Sequence, residues 1–217
     1  MNFAFLIPAA YLVGAIPFGM VLAGLHGVDL RKVGSGNIGA TNVGRALGRK
    51  WGVICFVLDM SKGLVPMLAA MAMLPQEKGA TELWIWLATG GAAIIGHVFP
   101  VYLGFKGGKG VATSLGVVMG LWPYYTISGI VAAISWLLAV WIWRYVSLAS
   151  MIASLDFICA LVILIAVIPA WEFGRLWPLV LFAAVMAGLV IVRHRDNIGR
   201  LLEGRESKMG GRKGTQP

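Results

Sequence analysis

Charged residues are scarce in this sequence. Only 12% of its 217 residues are Asp, Glu, Lys or Arg, whereas 59% are hydrophobic. A soluble domain usually carries about 25% charged residues, so the composition excludes a globular enzyme with one ordinary core. Membrane-spanning segments explain the deficit, because about 20 apolar residues are enough for one transmembrane helix.

Cysteine is almost absent, and acidic residues are half as frequent as basic ones. Cys55 and Cys159 lie in apolar stretches without a CxxC pair, so we predict two buried thiols and no disulfide framework. The sequence implies no metal ion and no cofactor. A net charge of +9 would suggest nucleic acid in a soluble protein. Here the basic residues flank apolar segments, which favours topology signals and anionic-lipid contacts over a nucleic-acid partner.

Seven apolar segments predict an all-α membrane protein with seven transmembrane helices. They lie at roughly 3–25, 51–74, 83–103, 111–122, 125–143, 148–169 and 176–193. The fourth has only about 12 residues, too few to cross a bilayer upright, and we expect a short helix paired with the fifth. The first has no charged stretch before it and no convincing cleavage site, so we interpret it as a retained span.

Lys and Arg concentrate on one side of the predicted bundle. Fifteen of the 18 fall in four places, which are 26–50, 104–110, Arg144 and 193–213. The opposite connections contain only Lys78 and Arg175. This bias places the N-terminus outside and the C-terminus in the cytoplasm, which requires an odd number of spans. We expect one seven-helix domain at 1–206 and a disordered basic tail at 207–217.

The first basic connection contains a glycine-rich polar motif, GSGNIGATNVGR, at 34–45. Its four glycines free the backbone to turn sharply and expose N–H groups, and its arginine is a planar cation suited to phosphate. A helix that begins near Thr41 would direct its N-terminus at an anion. A polar loop joining two spans would have a similar composition, but the density of small donors favours phosphate binding. The candidate contacts are Ser35, Gly36, Asn37, Thr41, Asn42 and Arg45.

A second motif, GFKGGKGVAT, lies at 104–113 and also precedes a predicted helix. Backbone amides flanked by two lysines can form an anion-binding nest. The GxxxxGK[ST] spacing of a Walker A loop is not met, so we do not expect nucleotide hydrolysis. A basic cytoplasmic loop is the simpler alternative, although topology does not require three glycines around one lysine. The candidate contacts are Lys106, Gly107, Gly108, Lys109 and Gly110.

A third motif, RHRDNIGRLLEGRE, follows the last apolar segment at 193–206. His194 and Asn197 recur at helical spacing on one face, where they can present a proton acceptor and an amide. A basic juxtamembrane stop would explain the same residues. The candidate contacts are His194, Asn197, Arg200 and Glu206.

Polar residues inside the apolar segments are a further signal. Asp59 and Lys62 are three residues apart, so one helix face can pair them, and both a structural pair and a substrate contact by Lys62 remain open. Ser150 is a candidate near the reacting centre, although serines in such helices usually pack. Asp156 receives no role, and His97 is expected to be structural. Counting the predicted spans between them places all three motifs on one membrane face, which predicts one shared site.

These motifs resemble the acyl-phosphate:glycerol-3-phosphate acyltransferases of bacteria, a small integral-membrane family. The resemblance runs from about residue 5 to 206, and its residues are 35–45, 104–113, 193–206 and LDMSKG at 58–63. It implies seven spans in the inner membrane and an active site at the cytoplasmic surface. It also implies transfer of a fatty acyl group from acyl-phosphate to the sn-1 hydroxyl of glycerol 3-phosphate, giving lysophosphatidic acid and inorganic phosphate.

Within that resemblance, the Lys109 loop and Ser35 are expected to hold the phosphoryl group of the acyl donor. The residues expected to bind or orient glycerol 3-phosphate are Arg45, Asn42, His194 and Asn197. No His is followed by Asp with four residues between them, so a base dyad at that spacing is excluded. Either His194 or a phosphate oxygen of the substrate takes the hydroxyl proton, and we favour the substrate; a general base contributes about 10²–10⁴-fold.

An organic-phosphate transporter is the alternative from a different class. Such transporters often contain internal repeats and broken spans with charges at the membrane midplane. We find no convincing repeat, and most charges of this sequence cluster at one face. A passive lipid-binding scaffold would not need three glycine-shaped loops.

Overall fold

Helices form all the regular structure that the computed structural model describes, which covers residues 3–75 and 80–209. No β-strand occurs in these ranges, and the predicted all-α class is confirmed. The helices are α1 Leu6–Ala15, α2 Phe18–Leu25, α3 Ala40–Leu47, α4 Arg49–Met73, α5 Ala80–Val98, α6 Val111–Gly120, α7 Tyr124–Trp143, α8 Val146–Val167, α9 Phe173–Arg193 and α10 Arg195–Leu202. Lys78 and the predicted tail beyond 209 lie outside the described residues.

Six helical segments of the described chain are long and apolar enough to cross a membrane. They are Phe3–Leu25, Arg49–Met73, Thr81–Leu103, Tyr124–Trp143, Val146–Val167 and Phe173–Arg193. The remaining predicted span is the 10-residue helix α6. At 1.5 Å per residue α6 is about 15 Å long, half the thickness of a bilayer core. The seven-span count and the orientation of the termini therefore stay predictions.

The first span is not one continuous helix. Helix α1 ends at Ala15 and α2 begins at Phe18, with Ile16 and Pro17 between them. Proline has no N–H to donate and disfavours helical geometry in the residue before it. The apolar run continues through this break, so hydropathy alone does not reveal it.

The chain forms two compact units, Met1–Thr126 and Ile127–Pro217. In the first unit, glycines bring helices into backbone contact. A Cβ at Gly14 of α1 would lie 2.2 Å from the carbonyl oxygen of Ala93 in α5, and one at Gly116 of α6 would lie 2.0 Å from that of Met60 in α4. Such small-residue contacts are the usual way in which membrane helices approach closely. The Gly116 contact holds α6 against α4, and the Gly14 contact holds α1 against α5.

The second unit contains α8 packed against α9, followed by α10. Asp156 of α8, which had no predicted role, accepts a hydrogen bond from the Ser135 hydroxyl of α7. The prediction of two buried thiols is half right, because Cys55 is buried but Cys159 is exposed. Cys159 lies on a face of α8 that protein does not cover, where an apolar thiol suits lipid as well as it suits a core.

Candidate functional site

Asn42 organises the first motif. Its side chain is only 1% exposed. The amide Nδ2 donates to the carbonyl oxygens of Leu30, Val33 and Asn37 at 3.1, 3.0 and 2.8 Å, and Oδ1 accepts the Ser35 backbone N–H at 3.1 Å. These hydrogen bonds tie the loop to the start of α3. Asn42 was predicted to bind or orient glycerol 3-phosphate, which stays a prediction; in the structure its amide shapes the loop.

Two glycines of the same motif have conformations that other residues rarely adopt. Gly34 and Gly36 have φ values of +59° and +68°. A Cβ at Gly34 would lie 2.3 Å from Asn42 Oδ1 and 3.9 Å from Arg45 Cδ. The loop therefore runs directly past the Arg45 side chain, which is half-buried, and it leaves the Ser35 residue exposed.

The remaining predicted contacts of this motif differ in exposure. Thr41, in the first turn of α3, is exposed. Asn37 is half-buried, and its Oδ1 accepts the backbone N–H of Gly39 at 2.9 Å. Gly36 donates its N–H to the carbonyl oxygen of Val33 at 3.1 Å. Of these three residues, Thr41 is the one whose side chain lies on the surface.

The second motif folds back onto the end of α5. The Gly107 and Gly108 N–H groups donate to the carbonyl oxygens of Val98 and His97, each at 3.1 Å. Both glycines were predicted to donate to phosphate, whereas the structure uses these two amides to anchor the loop. Gly110, with φ +82°, then directs the chain into α6.

Two lysines lie on either side of these anchored glycines. Lys106 is exposed and Lys109 is half-buried. The Arg31 guanidinium lies 3.5 Å from the carbonyl oxygen of Lys106, so the segment before the first motif contacts the second motif. Within the first unit, the structure thus brings these two predicted loops next to each other.

Lys62 is a member of a buried ion pair. Its Nζ lies 2.9 Å from Asp59 Oδ1 and donates to the carbonyl oxygen of Ile16 at 2.7 Å. Both charged side chains are 3% exposed. Of the two roles that the sequence left open for Lys62, the structure favours the structural pair.

Glu206 gathers three donors in the second unit. The Ser147 hydroxyl and the Asn197 amide donate to Oε1 at 2.7 and 2.6 Å, and Arg200 Nε donates to Oε2 at 2.7 Å. Burial would raise the pKa of Glu206, but the three hydrogen bonds and the Arg200 charge outweigh it, so the pKa lies below its usual range. A carboxylate repels phosphate, so these contacts support an orienting role for Glu206, and its predicted contact with substrate stays a prediction. Sequence patterns did not indicate the Ser147 contact, because it joins residues 59 positions apart.

His194 lies at the junction of α9 and α10 and is 2% exposed. Its Nδ1 lies 2.7 Å from the carbonyl oxygen of Val190. Because a carbonyl only accepts, Nδ1 must carry a proton, and Nε2 is the nitrogen that can accept one in the neutral ring. Asn197, also buried, follows in the first turn of α10.

Ser150 is 5% exposed and has two partners within the second unit. Its hydroxyl donates to the Val146 carbonyl oxygen at 2.8 Å and accepts from Trp136 Nε1 at 3.2 Å. Among the residues described, no group of three or more His, Cys, Asp or Glu is arranged to hold a metal ion.

Known proteins resemble this chain over almost its full length. A family model described as glycerol-3-phosphate acyltransferase matches residues 4–204. A glycerol-3-phosphate acyltransferase of Aquifex aeolicus is 48% identical over 212 residues, which are 96% of this chain and 100% of that protein. One of Geobacter metallireducens is 52% identical over 206 residues, covering 94% of this chain and 95% of the relative.

Solved structures give the same result. PlsY (YgiH), an integral membrane glycerol 3-phosphate acyltransferase, in its glycerol 3-phosphate form has a TM-score of 0.81 at 46% identity, over 95% of this chain and 94% of its own. The lysophosphatidic acid form of PlsY has a TM-score of 0.79 at 44% identity, with the same coverage. The resemblance drawn from the three motifs is confirmed, and this integral membrane protein belongs to the glycerol-3-phosphate acyltransferase family.

Proposed function

We propose that this protein transfers a fatty acyl group from acyl-phosphate to the sn-1 hydroxyl of glycerol 3-phosphate, at the cytoplasmic face of the bacterial inner membrane. The observation that carries the proposal is the pair of adjacent basic loops in the first unit, with Arg45 and Lys109 half-buried beside tightly folded backbone. Both substrates of this reaction carry a phosphate. The seven-helix catalytic domain at 1–206, with its N-terminus outside, is part of the proposal.

The chemistry needs little beyond positioning and charge neutralisation. The substrate hydroxyl oxygen attacks the carbonyl carbon of acyl-phosphate, the bond from that carbon to the phosphate oxygen breaks, and inorganic phosphate leaves. Because phosphate is already a good leaving group, the enzyme needs neither ATP nor a covalent nucleophile. Cations that neutralise the developing charge and fix the two substrates supply most of the catalysis.

We assign the donor phosphate to the second motif. Lys109 and Lys106 provide the positive charge, and the N-terminus of α6 after Gly110 adds the positive end of a helix dipole. The exposed Ser35 is the proposed hydroxyl donor from the first motif. In this assignment Gly107 and Gly108 keep the loop in place rather than binding the phosphate.

Within the first unit, we assign glycerol 3-phosphate to Arg45 and Thr41. Within the second unit, the proposed contacts with this substrate are His194, Asn197 and Arg200. Glu206 orients the Asn197 amide and the Arg200 guanidinium. Asn42 and Lys62 take positioning roles, which their buried hydrogen bonds support. Ser150 stays a candidate for a hydrogen bond near the reacting centre.

The hydroxyl proton has two proposed destinations. The Nδ1–H of His194 bonded to Val190 makes Nε2 the acceptor, which suits a general base. A phosphate oxygen of the substrate can take the proton instead, and we favour this route. His194→Ala that retains a few per cent or more of the wild-type kcat would support substrate assistance, whereas a complete loss would assign the proton to His194.

The purified protein tests the proposed reaction. Given palmitoyl-phosphate and glycerol 3-phosphate, the wild type should release phosphate and form lysophosphatidic acid. Arg45→Ala and Lys109→Ala should each lower turnover by about 10²-fold or more. Arg49→Ala and Lys32→Ala are matched controls, since both residues are exposed; they should stay within about twofold of wild type. Movement of glycerol 3-phosphate across the membrane of proteoliposomes without any product would contradict the proposed enzymatic function and favour a transporter.

A further inference from the structure

The buried pair of Asp59 and Lys62 lies in the middle of α4, where charges are costly. A single charge in the centre of a membrane helix costs roughly 2.5–3.5 kcal/mol or more, and a buried pair persists only when hydrogen bonds satisfy it. Here Lys62 meets Asp59 and also the carbonyl oxygen of Ile16, which lies at the break between α1 and α2 and also accepts the Phe18 N–H at 3.1 Å. Asp59 also contacts two residues that lie on either side of the Lys109 loop.

The segment before the second motif contacts Asp59 through His97. His97 Nδ1 lies 3.7 Å from Asp59 Oδ1, and the ring is 5% exposed. The backbone of His97 accepts the Gly108 N–H at 3.1 Å. A Cβ at Gly108 would lie 2.1 Å from His97 Nε2, so the ring lies directly beneath the loop and only glycine fits above it.

Helix α6, whose first turn contains the last residues of the second motif, contacts Asp59 through Thr113. The Thr113 hydroxyl donates to the backbone carbonyl oxygen of Asp59 at 2.9 Å, and Thr113 is 0% exposed. Helix α6 approaches α4 so closely here that a Cβ at Gly63 would lie 2.1 Å from the Thr113 carbonyl oxygen. Both flanks of the loop that carries Lys109 therefore lie against one residue of α4, through a hydrogen bond at Thr113 and a 3.7 Å approach at His97.

We propose that Asp59, His97 and Thr113 are positioning residues that fix the Lys109 loop from both sides. Asp59 contacts His97 with its carboxylate and Thr113 with its carbonyl, and Lys62 neutralises the carboxylate. An error of about 1 Å in the position of a catalytic group can cost about 10²-fold in rate. The inference rests on the proposed function, in which Lys109 binds the phosphate of the acyl donor, and it explains why α4 carries charges in its middle.

Thr113→Val tests the hydrogen bond from Thr113 to Asp59 with the least disturbance, because valine has the shape of threonine without the hydroxyl. We expect kcat/KM for palmitoyl-phosphate to fall about tenfold, while KM for glycerol 3-phosphate stays within about twofold. Thr113→Ser, which keeps the hydroxyl, should recover most of the loss. Thr89→Val is a matched control, since Thr89 is equally buried but its hydroxyl donates to Ile85 of its own helix at 2.8 Å. Equal loss in Thr113→Val and Thr89→Val would overturn the proposal.

A double mutant separates positioning from general stability. If Thr113 acts through Lys109, Thr113→Val should cost less than about twofold in a Lys109→Ala background. A tenfold loss in that background would mean that Thr113 acts elsewhere and would contradict the proposal. His97→Ala should behave like Thr113→Val.

Hydrogen exchange measures the protection of the loop's backbone amides independently of enzyme activity. Amides of 104–110 should exchange about tenfold faster in Thr113→Val and His97→Ala than in wild type, while those of 34–45 should not change. Unchanged exchange at 104–110 would overturn the positioning role, even if the enzyme is active. If the wild type forms no product but the exchange result is as expected, the proposed function fails while the anchoring of the loop stands.

Discussion

At the residue scale, the same polar side chains can bind substrate or shape the loop that binds it. The motifs identify Asn42, Lys62 and Glu206 as chemically important, but they do not reveal the hydrogen-bond partners of each side chain. Asn42 donates to three carbonyls, and Glu206 accepts from three side chains. Those partners become visible only when the loops are folded, because side-chain bonds to nearby backbone depend on the loop conformation and Ser147 lies 59 positions from Glu206.

Asn42→Ala should destabilise the protein as well as inactivate it. Removing the amide takes a donor from the carbonyl oxygens of Leu30, Val33 and Asn37. Leu30 and Val33 keep backbone donors, so we expect a total loss of about 1–3 kcal/mol. Thermal unfolding in detergent measures the effect. Ser35→Ala is the contrasting variant, since an exposed serine should change stability by less than about 0.5 kcal/mol while activity falls. Equal melting temperatures for wild type and Asn42→Ala would contradict the structural role.

Glu206 should make the C-terminal segment sensitive to acid. Its pKa is lower in the folded protein than in the unfolded chain, so ionised Glu206 stabilises the fold above the unfolded value of about 4.3. This contribution is lost as the pH falls through the lower, folded pKa. Hydrogen exchange of the 195–206 segment between pH 6 and 3 should show the loss.

Glu206→Gln provides the control for that pH dependence. The amide keeps the shape of the side chain but cannot ionise, so its segment should be less protected at pH 6 and should change less on acidification. A wild-type segment whose protection does not change over this range would refute the role of the Glu206 charge.

At the scale of elements, long apolar runs predict helices well, whereas breaks and short polar helices need tertiary contacts. Six spanning segments were predicted close to their observed positions. The break at Pro17 was missed because the apolar run continues through it. Two contacts involve the first residues of the predicted disordered tail, 207–217: Arg144 Nε donates to the Met209 carbonyl oxygen at 3.1 Å, and Lys208 Nζ lies 5.5 Å from the centre of the Tyr145 ring. Disorder of the tail stays a prediction.

Truncation should therefore depend sharply on where the chain ends. A chain that ends after Met209 keeps the hydrogen bond to Arg144 and all three bonds to Glu206, and it should match wild type in stability and activity. A chain that ends after Gly204 loses them and should unfold at a lower temperature with reduced turnover. Equal behaviour of the two truncations would show that the segment from Arg205 to Met209 does not matter.

At the scale of the whole molecule, the placement of charge is the main argument for function. Basic residues predicted to share one membrane face include both adjacent loops of the first unit and the motif that follows α9. The family assignment agrees with this reading, because the known relatives are glycerol-3-phosphate acyltransferases. The orientation of the protein in the membrane rests on the sequence alone, through the positive-inside bias.

Thiol labelling in intact cells tests that orientation. A cysteine placed at Arg175 should react with a membrane-impermeant maleimide from outside, whereas one placed at Lys208 should react only after the membrane is permeabilised. The unsubstituted protein is the control, since Cys55 and Cys159 lie within spanning helices. The opposite labelling pattern would place the basic loops outside and contradict the proposed site.

Acyl-phosphate is the proposed acyl donor, and the Lys109 loop is its proposed binding site. The most direct measurement is the stoichiometry of phosphate and lysophosphatidic acid formed from palmitoyl-phosphate and glycerol 3-phosphate by purified wild type, Lys109→Ala and Lys32→Ala. We predict one phosphate per lysophosphatidic acid in the wild type and Lys32→Ala, and about 10²-fold less of both products in Lys109→Ala. Wild-type product formation by Lys109→Ala, or no product from the wild type with this donor, would contradict the claim.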